Sequence, residues 1–132
     1  MALSNRDRVG KMFELLASPL DSFISSAVGE ALKDGSSWTS LVALKDSQKG
    51  VTGKEYSATD PQVQLRMLTE NIPHQLKKGW YPFDDAIGHV GQGYAKELRE
   101  YRNDWAHNKS FTDDDAYRCL DTAERMLGLI GA

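Results

Sequence analysis

A chain of 132 residues with 27% charged and 40% hydrophobic side chains is long enough for one domain with a real core, and too apolar to be disordered. Its net charge of −3 excludes a protein that coats nucleic acid by bulk electrostatics, though it leaves room for a local basic cleft. No apolar run approaches membrane-spanning length, no signal core follows Met1, and the single Cys119 cannot form an internal disulfide, so a cytoplasmic location with no membrane contact is expected.

From Asn5 to about Lys33, Val9, Met12, Phe13, Leu16, Leu20, Phe23, Ile24, Ala27 and Ala31 form a helical stripe. Pro19 lies in its middle, which predicts either a kink or two helices with Ser18 capping the second. Gly35-Ser36-Ser37 ends the segment, and Trp38 to Leu44 is an apolar stretch suited to a helical turn or two on the core. Lys45 to Thr59 is polar, contains two glycines and reads as an exposed loop. Asp60-Pro61 is a helix start, a cap followed by a first-turn proline, for a helix carrying Leu65, Leu68 and Ile72. Pro73 and Pro82 bound an aromatic linker, Trp80-Tyr81-Pro82-Phe83, better suited to core or interface packing than to stacking bases.

Val90, Tyr94, Leu98, Tyr101 and Trp105 recur at helical spacing and predict the buried stripe of a long helix. Thr112 is a candidate N-cap for the next, with Asp115 placed to complete a capping box and Phe111 and Ala116 to form a weak staple. The predicted stripe of this last helix is Ala116, Leu120, Ala123, Leu127 and Ile130. Residues 1–132 therefore read as one all-α domain, a four-to-five-helix bundle. Gly50-Val51-Thr52-Gly53-Lys54 lacks the glycine spacing of a phosphate-binding loop, and Gly88 to Gly93 lacks the Rossmann spacing, so both read as flexible connections. Asp113-Asp114-Asp115 is accounted for by capping, and His74, His89 and Cys119 have no zinc spacing, so no metal or cofactor is expected.

Arg102-Asn103-Asp104-Trp105-Ala106-His107 is the stretch that carries chemistry. A guanidinium grips phosphate oxygens in a bidentate fork, and an imidazole moves protons near neutrality. On the predicted helix Asn103 lies opposite the buried stripe, His107 sits about 40° from it, and Arg102 falls on the flank. Trp105 points inward and anchors the segment. Arg102 and His107 are about 140° apart on a straight helix. Either the helix breaks near His107, which Asn108-Lys109-Ser110 allows, or a second subunit completes the site along a two-fold axis.

Arg102 to His107, with the polar Asn103 directly after the arginine, resembles the Arg-x4–6-His motif of the HEPN superfamily (higher eukaryotes and prokaryotes nucleotide-binding). The run from Glu97 through His107, the segment Phe111 to Arg118 and the segment Leu120 to Leu127 resemble its Swt-type branch. The resemblance is dense over residues 94–131 and looser through Leu16 to Phe23, Trp38 and Asp60-Pro61. It implies an all-α HEPN-like bundle that forms a homodimer, bringing two Arg/His pairs into one cleft. It also implies a metal-independent endoribonuclease in which the RNA 2′-oxygen attacks the adjacent phosphorus and leaves a cyclic phosphate.

By that resemblance His107 is the general acid or base, Arg102 stabilises charge on the phosphate oxygens, and Asn103 orients His107 or the phosphate. Lys109, Arg99 and Arg118 are candidate RNA-backbone contacts, although solvated charge is the favoured reading of Arg99 and Arg118. Lys109 stands where some members carry a tyrosine modified by a partner nucleotidyltransferase, so that subtype is not expected. The branch implies a role in phage defence, toxicity or RNA processing. It also implies a place as a terminal module of a larger ATPase or helicase, which suits a last helix running to Ala132. The alternative is a non-catalytic HEPN module that dimerises its parent protein or binds RNA or a nucleotide without cutting.

Overall fold

The computed structural model describes residues 3–29, 32, 35–73 and 81–131, and among these the chain forms five helices and no strand. They are α1 (Asn5–Val28), α2 (Thr39–Gln48), α3 (Pro61–Thr69), α4 (Asp84–Ala106) and α5 (Asp113–Leu129). The expectations that involved Lys33, His74 and Trp80 lie outside the described residues. Helices α1, α3, α4 and α5 pack on one another around a shared core, while α2 rests on α3. Leu16, Leu20 and Ile24 of α1 meet Leu65, Met67 and Leu68 of the α3 segment, Leu98 of α4 and Met126 of α5 in that core. Each such side chain contributes roughly 1.5–3 kcal/mol when fully buried.

Helix α1 runs unbroken through Pro19, and Ser18 caps nothing. Proline leaves the carbonyl four residues earlier without its helical donor. That residue, Leu15, is 70% exposed, so water can serve the carbonyl and the helix need not split. At its start Ser4 accepts from the Asp7 amide, and Asn5 Nδ2 donates to the Phe111 carbonyl and to Asp113. The beginning of α1 is thereby tied to the beginning of α5. The Asp113-Asp114-Asp115 run is spent on such capping, with Thr112 and Asp115 forming the expected reciprocal box at 3.0 and 3.1 Å. Asp60 caps α3 as expected, accepting from Gln62 N at 3.0 Å.

Three expectations are corrected. Lys45 to Gln48 is the last turn of α2 and not part of the loop, because Lys45 and Asp46 are buried in an ion network. Arg66 bonds Asp46 at 2.7 Å and Glu70 at 2.9 Å, and Lys45 and Arg99 reach Glu70 at 2.9 and 2.7 Å. This network joins α2 and α3 to α4. The hydrogen bonds of Arg66 hold Asp46 well below the usual carboxylate range against the opposing effect of burial. Burial pushes Glu70 up, but hydrogen bonds from Arg66 and Lys45 outweigh it and bring the group down to about 2.

Both carboxylates therefore bind fewer protons in the folded state than unfolded, and their contribution to stability is present above their ordinary values near pH 4. Denaturant midpoints should fall as pH drops from about 4.5 towards 2, and Glu70→Gln should make that fall shallower.

The second correction concerns α4. Val90 is 62% exposed, and the buried positions are Ile87, Gly91, Ala95 and Leu98. Gly88 adopts φ 64°, ψ −174° inside the helix, a conformation open to glycine, so the first turn is rotated out of phase with the rest. Gly88 to Gly93 is accordingly part of α4 and not a flexible connection. Thirdly, the α5 stripe is rotated. Ala116 and Ala123 are buried as expected, but Cys119, Thr122 and Met126 take the centre while Leu120 is 37% exposed. Burial pushes the Cys119 thiol up to about 12, which leaves it no use as a nucleophile.

Candidate functional site

Helix α4 ends in a Schellman cap built by the motif itself. Asn108 takes φ 58°, its amide donates to the Trp105 carbonyl at 3.2 Å, and the Lys109 amide donates to that of Asp104 at 3.0 Å. The apolar contact that often accompanies such a cap is here an ion pair, Lys109 to Asp104 at 3.7 Å. His107 is the C-cap residue, exposed, with its own amide bonded to the Asn103 carbonyl at 3.1 Å. The helix thus breaks immediately after the motif, at Asn108, and His107 stands at its very end. A β-branched residue resists the left-handed conformation, so Asn108→Val should cost about 1–2 kcal/mol by chemical denaturation while Asn108→Gly is tolerated.

Trp105 is the anchor expected from its place in the helix. Its Nε1 donates to the Arg6 carbonyl at 3.2 Å, joining the end of α4 to the start of α1. Gly10 makes the approach possible, since a Cβ there would sit 3.0 Å from that nitrogen. Two guanidinium groups stack on the same indole, Arg102 at 5.2 Å and Arg6 at 4.7 Å from the ring centroid. Arg6 was not among the residues singled out from sequence. Nothing in its local spacing could have revealed it, because it meets the motif only through the packing of α1 on α4.

Arg102 is mostly buried, with 18% of its side chain exposed, and its nearest carboxylate is Asp60 at 3.8 Å. The other arginines in ion pairs, Arg66, Arg99, Arg118 and Arg125, each meet a carboxylate at 2.6 to 2.9 Å. Nη1 of Arg102 is buried with no hydrogen-bond partner among the described residues. The stacking fixes the guanidinium without using its N–H donors, so the long pair with Asp60 and the unpartnered Nη1 leave its hydrogen-bonding capacity largely unspent.

Asn103 is exposed and, with Gln62, Lys96, Arg99 and Glu100, lines an open depression of about 410 Å³. Asn103 and His107 therefore share the exposed side of the helix end, while Arg102 turns towards Trp105 and Asp60. The structure does not gather the three predicted backbone contacts around them as free cations. Arg99 bonds Glu70 and Thr69, Arg118 bonds Glu97 at 2.6 Å, and Lys109 keeps only its looser pair with Asp104. Among the described residues no group of histidine, cysteine or carboxylate side chains is arranged to hold a metal ion. No helix among them is long and apolar enough to cross a membrane.

The all-α bundle and the polar end of α4 agree with the comparison to known families. The family model described as Swt1-like HEPN matches residues 11–131, and the chain belongs to that family. Membership makes it a nuclease or nucleotide-binding module in the general sense, of a kind that typically binds RNA and dimerises. No curated protein and no solved structure gives a match to the chain.

Proposed function

We propose that the chain is a metal-independent endoribonuclease and that the end of α4 is half of its active site. The observation that carries this reading is the state of Arg102, a stacked guanidinium with a buried, unpartnered Nη1 and no close carboxylate, beside the exposed Asn103 and His107. In the reaction the RNA 2′-oxygen bonds to phosphorus as the bond to the 5′-oxygen breaks. An imidazole takes the 2′ proton or supplies one to the departing 5′-oxygen. Arg102 neutralises the charge that builds on the non-bridging oxygens, a role suited to a group fixed before substrate arrives. Asn103 orients the phosphate or His107.

Arg102 is held against Trp105 while His107 is exposed at the helix end, and the reading has the Arg102 of one copy act with the His107 of a second, so a homodimer is part of the proposal. Lys109, two residues after His107 and exposed, and Arg99, in the depression with Asn103, would contact neighbouring phosphates. Arg118 contributes least, since it is held by Glu97. The reading carries with it a cytoplasmic role in phage defence, toxicity or RNA processing, as a single domain or as a module of an ATPase or helicase.

The second reading, a module that dimerises or binds RNA or nucleotide without cutting, is favoured by the net charge of −3 and by the pairing of Arg99 and Arg118. Arg102→Lys separates the two. It keeps the charge but removes the planar fork. In EDTA the wild type should cut RNA and the variant should lose most of that activity. A variant that cuts as well as wild type overturns the assignment of Arg102.

A further inference from the structure

Arg6 has the same chemical situation as Arg102, on the same indole. Its guanidinium lies 4.7 Å from the Trp105 centroid, and its Nη1 is likewise buried without a hydrogen-bond partner among the described residues. No carboxylate pairs with it among those residues, and its backbone is locked to the Trp105 ring by the bond from Nε1. The two stacking distances together hold the guanidinium carbons within about 10 Å of each other. Arg6 is half-buried, and an N–H donor of its guanidinium left without a partner is costly; an oxyanion seated against the guanidinium would give it an acceptor. Arg6 precedes the residues matched by the family model, which begin at residue 11.

We infer that Arg6 is a second phosphate-binding residue, gripping a backbone phosphate of the bound RNA next to the one held by Arg102, with Trp105 as the common support. The inference rests on the assignment of the α4 end as an RNA site and adds a subsite to it. In this arrangement Arg102 faces the reacting phosphate and Arg6 sets the register of the strand. Arg6 is therefore a positioning residue and not a catalytic one.

The test is equilibrium binding of a short 2′-O-methyl RNA, which cannot be cut, measured as a function of salt for wild type, Arg6→Gln, Arg6→Lys and Arg102→Lys. Each phosphate contact on a single strand contributes about 0.7 to the slope of log K against log salt. Arg6→Gln should weaken binding about tenfold and flatten that slope by about 0.7. Arg6→Lys should keep the slope but lose affinity, because the stacked fork is gone. A residue that only supports the fold can change the melting temperature but not the salt slope, so circular dichroism on the same variants separates the two roles.

Arg6→Gln with wild-type affinity and slope, alongside a weakened Arg102→Lys, overturns the Arg6 subsite and leaves the Arg102 site standing. No effect from any variant, or no binding by wild type, overturns both.

Discussion

His107→Ala should lower RNA cleavage in EDTA by about 10²–10⁴-fold, the usual loss when a positioned general acid or base is removed. The size of the effect follows from where the residue sits. Its imidazole is exposed at the end of α4, so the mutation removes a proton-transfer group without opening a cavity. Its structural contribution, the amide bond to the Asn103 carbonyl, belongs to the backbone and survives the change. Helix content and melting temperature should therefore stay within experimental error of wild type, with RNA binding nearly unchanged. Parallel measurement of cleavage rate and of binding to an uncleavable RNA distinguishes this outcome from a general loss of structure. Full activity in His107→Ala would remove the residue from the mechanism.

Arg66→Ala should be the most damaging single change to stability outside the apolar core, costing about 3 kcal/mol. Arg66 bonds both Asp46 and Glu70, each with little side-chain exposure; its removal strands Asp46, which keeps only the Tyr56 hydroxyl, while Glu70 retains Lys45 and Arg99. The loss should be largest at neutral pH, where both are ionised, and smaller in acid, where protonation relieves the uncompensated charge. Arg66→Met is the informative companion, because it restores packing without restoring charge. A loss as large as that of Arg66→Ala attributes the effect to the stranded Asp46 carboxylate. Urea unfolding of both variants at neutral and acidic pH reads the difference. With the buried Trp38 and Val42, this network is what holds α2 against α3.

The sequence was most legible where local chemistry decides structure. Asp60-Pro61 and Thr112 with Asp115 were identifiable as helix starts because a cap needs only neighbours along the chain. The inward Trp105 and outward Asn103 and His107 followed from helical periodicity, and so did the option of a break after His107. What was not legible depends on contacts between distant segments. The face of α4 that meets α5 is centred on the small Gly91 and Ala95, which hydrophobicity alone does not mark, so Val90 beside them reads as buried although it is exposed. Cys119 and Met126, not Leu120 and Leu127, hold the centre of α5, because the face that meets α1 and α4 is set by how the helices pack and not by the local run of leucines. Lys45 and Asp46 looked like loop residues since their partners, Arg66 and Glu70, lie about 20 positions on. Arg6 escaped notice for the same reason, at a separation of 99 residues from Trp105.

The central claim is that the Arg102 and His107 of one copy do not act alone, and complementation tests it most directly. Arg102→Lys and His107→Ala, each inactive by itself, are to be unfolded together, refolded and assayed for RNA cleavage in EDTA. Random pairing gives mixed dimers in about half of the molecules, each with one intact Arg/His combination across the two-fold axis. The predicted result is recovery of about a quarter of wild-type activity. A mixture as inactive as its parents, in a protein shown to be dimeric, contradicts the shared site.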